Sequence, residues 1–255
     1  LTIYDMFHEK FNDMFSASDN ISIYKERLAD KATKIIAISE NTKRDLIEIF
    51  GIDESKIALV YPGNSMFSEF KKNTKLIIPN KYLLFIGSRF KYKNFKRFVK
   101  SISKILNQDI NLHLICVGGG KFNNQELKTF SELNVVSQII QYSLDDNALV
   151  HLYKNAQLFV FPSLYEGFGI PILESFSCQC PLLCSNTSSL PEVAGDGAYY
   201  FDPYCEESMR DAIIKVLEDK CLQEELKQKG SERLKRFSWK KAAIETKKIY
   251  EDVIK

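Results

Sequence analysis

The sequence predicts an α/β protein built on parallel sheets, and three observations carry that reading. Short apolar runs alternate with helix-period segments almost from end to end, as β-α-β units require. The runs are continuously apolar, as in Leu158-Phe159-Val160-Phe161, which suits strands covered on both faces. That same run feeds a glycine-rich turn, Glu166-Gly167-Phe168-Gly169, and Pro171 then stands where a helix would begin.

At 255 residues the chain can form one large or two modest domains. In residues 1–67, strands are expected over 1–4, 34–38 and 57–60. A helix over 40–50 lies between the last two, capped by Ser39 and stopped by Gly51. The polar, lysine-rich stretch 68–81 reads as a linker. Residues 82–237 repeat the α/β rhythm, with strands over 82–86, 112–117, 139–142, 158–161, 181–185 and 198–201. Phe95, Phe98, Val99, Ile102, Ile105 and Leu106 recur at helical spacing, as do Met209, Ala212, Ile213, Val216 and Leu217, so both sets are core faces. A closing helix in 238–255 starts near Trp239 with Ser238 as cap. It turns Ala242, Ala243, Thr246, Ile249, Tyr250 and Val253 inward and packs back toward the first domain. The chain opens on Leu1, already inside a strand-like run, so the first domain is expected to be incomplete.

Composition narrows the function classes. A net charge of +2 gives no reason to expect nucleic acid as a partner. The longest apolar runs are strand-sized, too short to span a bilayer as helices, and no secretory leader is visible. Of the six cysteines, Cys116 and Cys184 fall in strand-like runs. The spacing of Cys178, Cys180 and Cys184 is not that of zinc pairs, and no histidine is near in sequence. Reduced core cysteines in a reducing cytoplasm are expected, with no metal site. His113 alternates within an apolar strand and reads as a core histidine, while His151 carries no signal.

The chemistry concentrates at the glycine turn. A strand, a glycine turn and a helix N-terminus together present backbone N–H groups and the positive end of the helix dipole to an anion. Two carboxylates, Glu166 and Glu174, flank that turn. A ligand carrying both phosphate and hydroxyls fits, and a nucleotide sugar is such a ligand.

Six segments in this order resemble the retaining GT-B glycosyltransferases of family 4. They are AISENTKRDL (37–46), GSRFKYKNF (87–95), VGGG (117–120), FPS (161–163), EGFGIPILE (166–174) and SSLPEVAGDGAYYFDP (188–203). The resemblance covers essentially the whole chain. It implies two Rossmann-like domains facing a cleft, with the donor held by the C-terminal one and the first domain here truncated. It also implies a role for each matching residue. Lys93 and Arg89 would stabilise the departing diphosphate, Lys as a compact charge and Arg as a fork, although Arg89 stands one position later than the arginine common in relatives. Gly87 and Ser88, at the head of that loop, would line the donor site. The backbone of Gly167, Phe168, Gly169 and Ile170 would meet sugar hydroxyls or the β-phosphate. Glu166 would face the donor sugar, and Glu174 would accept from the ribose hydroxyls. Tyr142, ending its strand beside Ser143, lies where relatives contact the base. On the acceptor side the end of the first strand, Thr2 to Met6, resembles the family's His-Asp strand end, but Tyr4 stands where His is common. Asp5 is then the matching residue, with His8 as a substitute. No Asp-x-Asp triplet occurs, so transfer without a metal or other cofactor is expected.

The reading is therefore a hexosyltransferase moving sugar from a UDP- or GDP-linked donor to a glycan or lipid-linked acceptor in bacterial surface polysaccharide synthesis. It would be cytoplasmic, with peripheral contact to the inner membrane through the missing N-terminal part. Alternatives are a donor-lobe binding module without transfer activity and a GT-B nucleotide-sugar epimerase. A glycosidase also uses two carboxylates, but needs them on opposite sides of the scissile bond. Here both come from one turn and its helix.

Overall fold

The computed structural model describes residues 1–16, 18–65 and 77–254. It forms two parallel sheets, in keeping with the expected α/β class. The smaller has the order β1-β2-β3, from β1 (Thr2–Ile3), β2 (Ile35–Ala37) and β3 (Ile57–Leu59). Around it lie α1 (Phe7–Lys10), α2 (Ile21–Lys31) and α3 (Glu40–Phe50). Helix α3 starts where the Ser39 hydroxyl accepts the Thr42 N–H and stops where Gly51 turns left-handed at φ 64°, so each end is set by its own residue.

The larger sheet runs β6-β5-β4-β7-β8-β9. Its strands are β4 (Lys81–Ile86), β5 (Leu112–Val117), β6 (Ile139–Tyr142), β7 (Leu158–Phe161), β8 (Leu182–Ser185) and β9 (Ala198–Phe201). The helices are α4 (Phe95–Gln108), α5 (Asn124–Glu132), α6 (Asp146–Asn155), α7 (Ile170–Ser177), α8 (Leu190–Ala194), α9 (Glu206–Glu218), α10 (Lys220–Leu234) and α11 (Trp239–Ile254). Strand alternation sorts the core to two faces. Leu83, Phe85, Leu114 and Val160 pack with Phe98, Ile102 and Ile213 of α4 and α9. Leu84, Ile115, Phe159 and Phe161 pack with Leu152, Tyr153, Ile172 and Phe176 of α6 and α7.

This order reverses at β4. The chain runs from β4 outward to β6, then returns to β7 on the other side of β4. In an open parallel sheet the crevice at such a reversal, outside the carboxyl ends of the strands, is where ligands bind. The loops after β4 and β7 meet there.

Three local expectations are corrected. Helix α7 starts at Ile170 with Gly169 as its N-cap, so Pro171 is the second helical residue, which is still within the turn that needs no N–H. On α11 only Ala242 is buried and Ile249 is half-buried, while Tyr250 and Val253 are exposed. The sheet beneath α11 has three short strands, and Ile36 and Val60 are the core residues it can cover. His113 is half-buried, its Nδ1 2.9 Å from the Asn111 carbonyl. Of the stretch 68–81 expected as a linker, residues 68–76 lie outside the described residues. All six cysteines are free, and burial pushes the thiols of Cys116, Cys178, Cys180 and Cys184 up, so they behave as small hydrophobes. Among the described residues no helix is long and apolar enough to cross a membrane.

Candidate active site

The loop after β4 turns at Gly87, whose φ of +120° few L-residues adopt. It then makes a short 3-10 turn over Lys91–Lys93 and enters α4 through Asn94, left-handed at φ 58°. Asn94 is fixed there because its side-chain amide donates to the Pro203 carbonyl at 2.8 Å. This geometry aims Lys93 across the switch point. Its Nζ donates to Glu166 Oε1 at 2.6 Å, and both side chains are largely buried, at 13% and 14% exposure. The ammonium also lies over the rings of Tyr92 and Phe161. A backbone bond from Leu164 N–H to the Tyr92 carbonyl, 2.8 Å, joins the same two loops.

Glu166 is held by its backbone. Its N–H donates to Ser188 Oγ at 2.8 Å, and its carbonyl accepts from Ser188 Oγ at 2.7 Å. Ser189 Oγ sits 2.9 Å from the carbonyls of Glu166 and Phe168. Ser188 takes up a left-handed φ of 59° to do this. Gly169 is left-handed as well, which turns the chain from β7 into α7. Glu174 follows one turn into α7. Its Oε2 accepts the Tyr153 hydroxyl at 2.9 Å. Burial raises its carboxyl above the usual range, and the Tyr153 bond pulls the other way.

Of the other residues proposed from sequence, Asp5 comes to the turn. Gly167 packs so closely on the end of β1 that a Cβ there would meet the Tyr4 carbonyl oxygen at 1.9 Å and Asp5 Cβ at 3.0 Å. His8 faces elsewhere, stacked on Phe15 with Nε2 3.7 Å from Asp19. Tyr142 ends β6, half-buried, its hydroxyl donating to the Ile77 carbonyl at 2.9 Å. Ser88 is exposed beside Gly87.

Arg89 is not brought to the Lys93–Glu166 pair. Its Nε donates to Glu126 Oε1 at 2.6 Å, and its Nη atoms donate to the carbonyls of Gly118, Gly119, Gly120 and Lys121. The guanidinium also lies over Phe122 and lines a 340 Å³ cavity between α4 and α5. In this arrangement it braces the glycine loop after β5.

Several participants were given no role from the sequence. Glu192 accepts the N–H groups of Glu40 and Asn41 at 2.6 and 3.1 Å, so a carboxylate from α8 caps α3, beside the smaller sheet. The Tyr165 hydroxyl donates to Asp45 Oδ2 at 2.7 Å and accepts the Met6 N–H at 3.1 Å. Among the described residues, no group of three or more His, Cys, Asp or Glu side chains is placed to hold a metal ion.

A lysine, a carboxylate and a helix start converge where an open α/β sheet accepts phosphate-bearing ligands, and the family model for glycosyl transferases group 1 matches residues 67–233, which include all three. The chain belongs to that family. It is 28% identical over 233 residues to O-antigen chain mannosyltransferase B of Escherichia coli, covering 87% of this chain and 61% of that protein. It is 26% identical to a Campylobacter jejuni enzyme, N-acetylgalactosamine-N,N'-diacetylbacillosaminyl-diphospho-undecaprenol 4-alpha-N-acetylgalactosaminyltransferase, covering 85% of this chain and 60% of that protein. The chain thus spans about 60% of the length of these relatives. Among solved structures, Anabaena HepE, in complex with UDP and glucose, superposes with a TM-score of 0.78 at 15% identity, covering 99% of this chain and 70% of that one. The two parallel sheets of this family member are the GT-B architecture.

Proposed function

We propose that this chain transfers a hexose from a nucleotide-sugar donor to a glycan or lipid-linked acceptor, with retention of anomeric configuration, in bacterial surface polysaccharide synthesis. The observation that carries the reading is the Lys93–Glu166 pair at the switch point, beside the start of α7. Support for the acceptor class comes from the relatives' names, which place them in O-antigen synthesis and on an undecaprenol-linked glycan.

In this reading the donor diphosphate lies over the start of α7, where the helix dipole and Lys93 offset the charge that grows as the anomeric C–O bond breaks. Glu166 faces the sugar and supports positive charge developing on its ring. Glu174 accepts a ribose hydroxyl with the oxygen that Tyr153 leaves open. The acceptor oxygen attacks C1 from the face the diphosphate leaves, and its proton passes to a diphosphate oxygen. Gly87, Ser88 and Tyr142 line the nucleotide end, and Asp5 lies on the acceptor side. Arg89 acts from behind, by holding the loop of Gly118–Gly120. No metal is assigned to the reaction.

The test is incubation of the chain with UDP-glucose and GDP-mannose, following the sugar product by proton NMR before it mutarotates. Water serves as acceptor when no other is supplied. Release of the α-hexose from one donor supports retaining transfer. Release of the β-hexose overturns retention. Binding of a nucleoside diphosphate without any release favours the donor-lobe binding module.

A further inference from the structure

The stretch 37–46 stands out in the sequence, yet none of its residues takes part in the chemistry above. Helix α3 grows from it and touches the catalytic turn along one face. Thr42 Oγ1 donates to the Gly167 carbonyl at 3.3 Å, and itself accepts the Ser39 hydroxyl at 3.0 Å. Asp45, three residues on and therefore on the same face, accepts the Tyr165 hydroxyl at 2.7 Å. Tyr165 and Gly167 are the two chain neighbours of Glu166. Both are tied to α3, and Glu192 holds the N-terminus of that helix.

Asp45 is 1% exposed and is oriented from several sides. Asn41 Nδ2 donates to the same oxygen as Tyr165, at 2.8 Å, and Lys10 Nζ lies 2.7 Å from the other oxygen. A buried carboxylate with this many partners holds a fixed direction, so the Tyr165 hydroxyl does too.

We propose that Asp45 and Thr42 are positioning residues for Glu166, acting through Tyr165 and Gly167 without touching substrate. A carboxylate that must face one ring of a sugar needs its backbone fixed to a fraction of an ångström. Helix α3 supplies that constraint from the opposite domain, so docking of the two domains and alignment of Glu166 are one event. The kinetic consequence rests on the transfer reading above; the geometric one does not.

Two isosteric variants test this in the whole chain. Tyr165→Phe keeps the ring and removes the hydroxyl; Thr42→Val keeps the shape and removes the donor. Hydrogen exchange of peptides covering 164–170 is measured by mass spectrometry, alongside turnover of UDP-glucose and GDP-mannose. In Tyr165→Phe, exchange in 165–169 is expected to rise about tenfold with the sheet unchanged, and kcat to fall about tenfold with KM and the Kd for the free nucleoside diphosphate within about twofold. Thr42→Val shows the same pattern to a smaller degree, and it decides alone if Tyr165→Phe does not fold. Wild-type exchange in both variants overturns the proposal. So does a general rise in exchange with Kd and kcat falling together, which marks a merely structural role. A wild-type chain that neither binds nor turns over these donors defeats the transfer reading only, and the exchange result still decides the positioning.

Discussion

Lys93 Nζ and Glu166 Oε1 lie 2.6 Å apart, joining the loop after β4 to the loop after β7 across the reversal of strand order. The two stand 73 positions apart in sequence. A charge-assisted bond in a largely buried setting is stronger than a surface pair, and leaving one partner alone is costly. In the proposed reaction a bound diphosphate would offer Lys93 a second anion, and the pair would then link donor binding to the orientation of Glu166.

Lys93→Met should therefore separate phosphate from nucleoside recognition. The loss of one charged hydrogen bond, about 1.5–3 kcal/mol, weakens a nucleoside diphosphate by roughly ten- to a hundredfold. Affinity for the nucleoside alone should stay within about twofold. Calorimetric titration of both ligands checks this, and equal losses would remove Lys93 from the phosphate site.

Glu174 makes a pH-dependent contribution with a definite sign. Burial is the main cause of its raised carboxyl pKa, and Tyr153 offsets only part of it. A carboxyl that holds its proton more tightly folded than unfolded favours folding where it is protonated and opposes folding where it is ionised. Its contribution thus falls as pH rises from the ordinary carboxylate value through the raised one. Glu174→Gln removes that penalty while keeping an acceptor for Tyr153. Its Tm relative to wild type should be higher at pH 8 than at pH 4, while nucleotide binding weakens. A Tm difference independent of pH would contradict the buried, ionised carboxylate.

Gly167 and Gly120 give a paired steric test. A Cβ on Gly167 meets the Tyr4 backbone at 1.9 Å, whereas one on Gly120 meets nothing within 4 Å and suffers only from its φ of +72°. Gly120→Ala should cost about 1–2 kcal/mol, the usual left-handed penalty. Gly167→Ala forces β1 away from the turn and should cost about 3 kcal/mol or more. Urea denaturation of both variants compares them; equal costs would mean that β1 yields easily.

Arg89 and Lys93 should differ in kind. Arg89→Met leaves Glu126 without its ion-pair partner and frees the carbonyls of Gly118–Lys121. Stability should fall by about 3 kcal/mol, with a smaller loss of diphosphate affinity than Lys93→Met causes. Thermal denaturation and titration of both variants test this ordering. A larger affinity loss at Arg89 would return it to direct phosphate contact.

The sequence made most of the fold legible because strands buried on both faces and amphipathic helices leave periodic marks. The helix Glu40–Phe50, its Ser39 cap and its Gly51 stop are written in adjacent residues. Contacts between distant segments leave no such mark. Tyr165 meets Asp45 across 120 positions, and Glu192 reaches the start of α3 across 152. The direction of Arg89 was equally hidden, since a long side chain has several ways to point. Its signal was Asn123 and Glu126, whose reciprocal capping of α5 fixes a carboxylate beside the loop. The stripe on α11 misled because periodicity marks a face but not the size of the sheet available to cover it.

The most direct test of the central claim is calorimetric titration of the chain with UDP, GDP, ADP and TDP in the presence of EDTA. Preferential binding of one of them, strongly reduced in Lys93→Met, is the result expected for a donor site built on Lys93, Glu166 and the start of α7. Failure of all four to bind, or binding that Lys93→Met leaves unchanged, would contradict it.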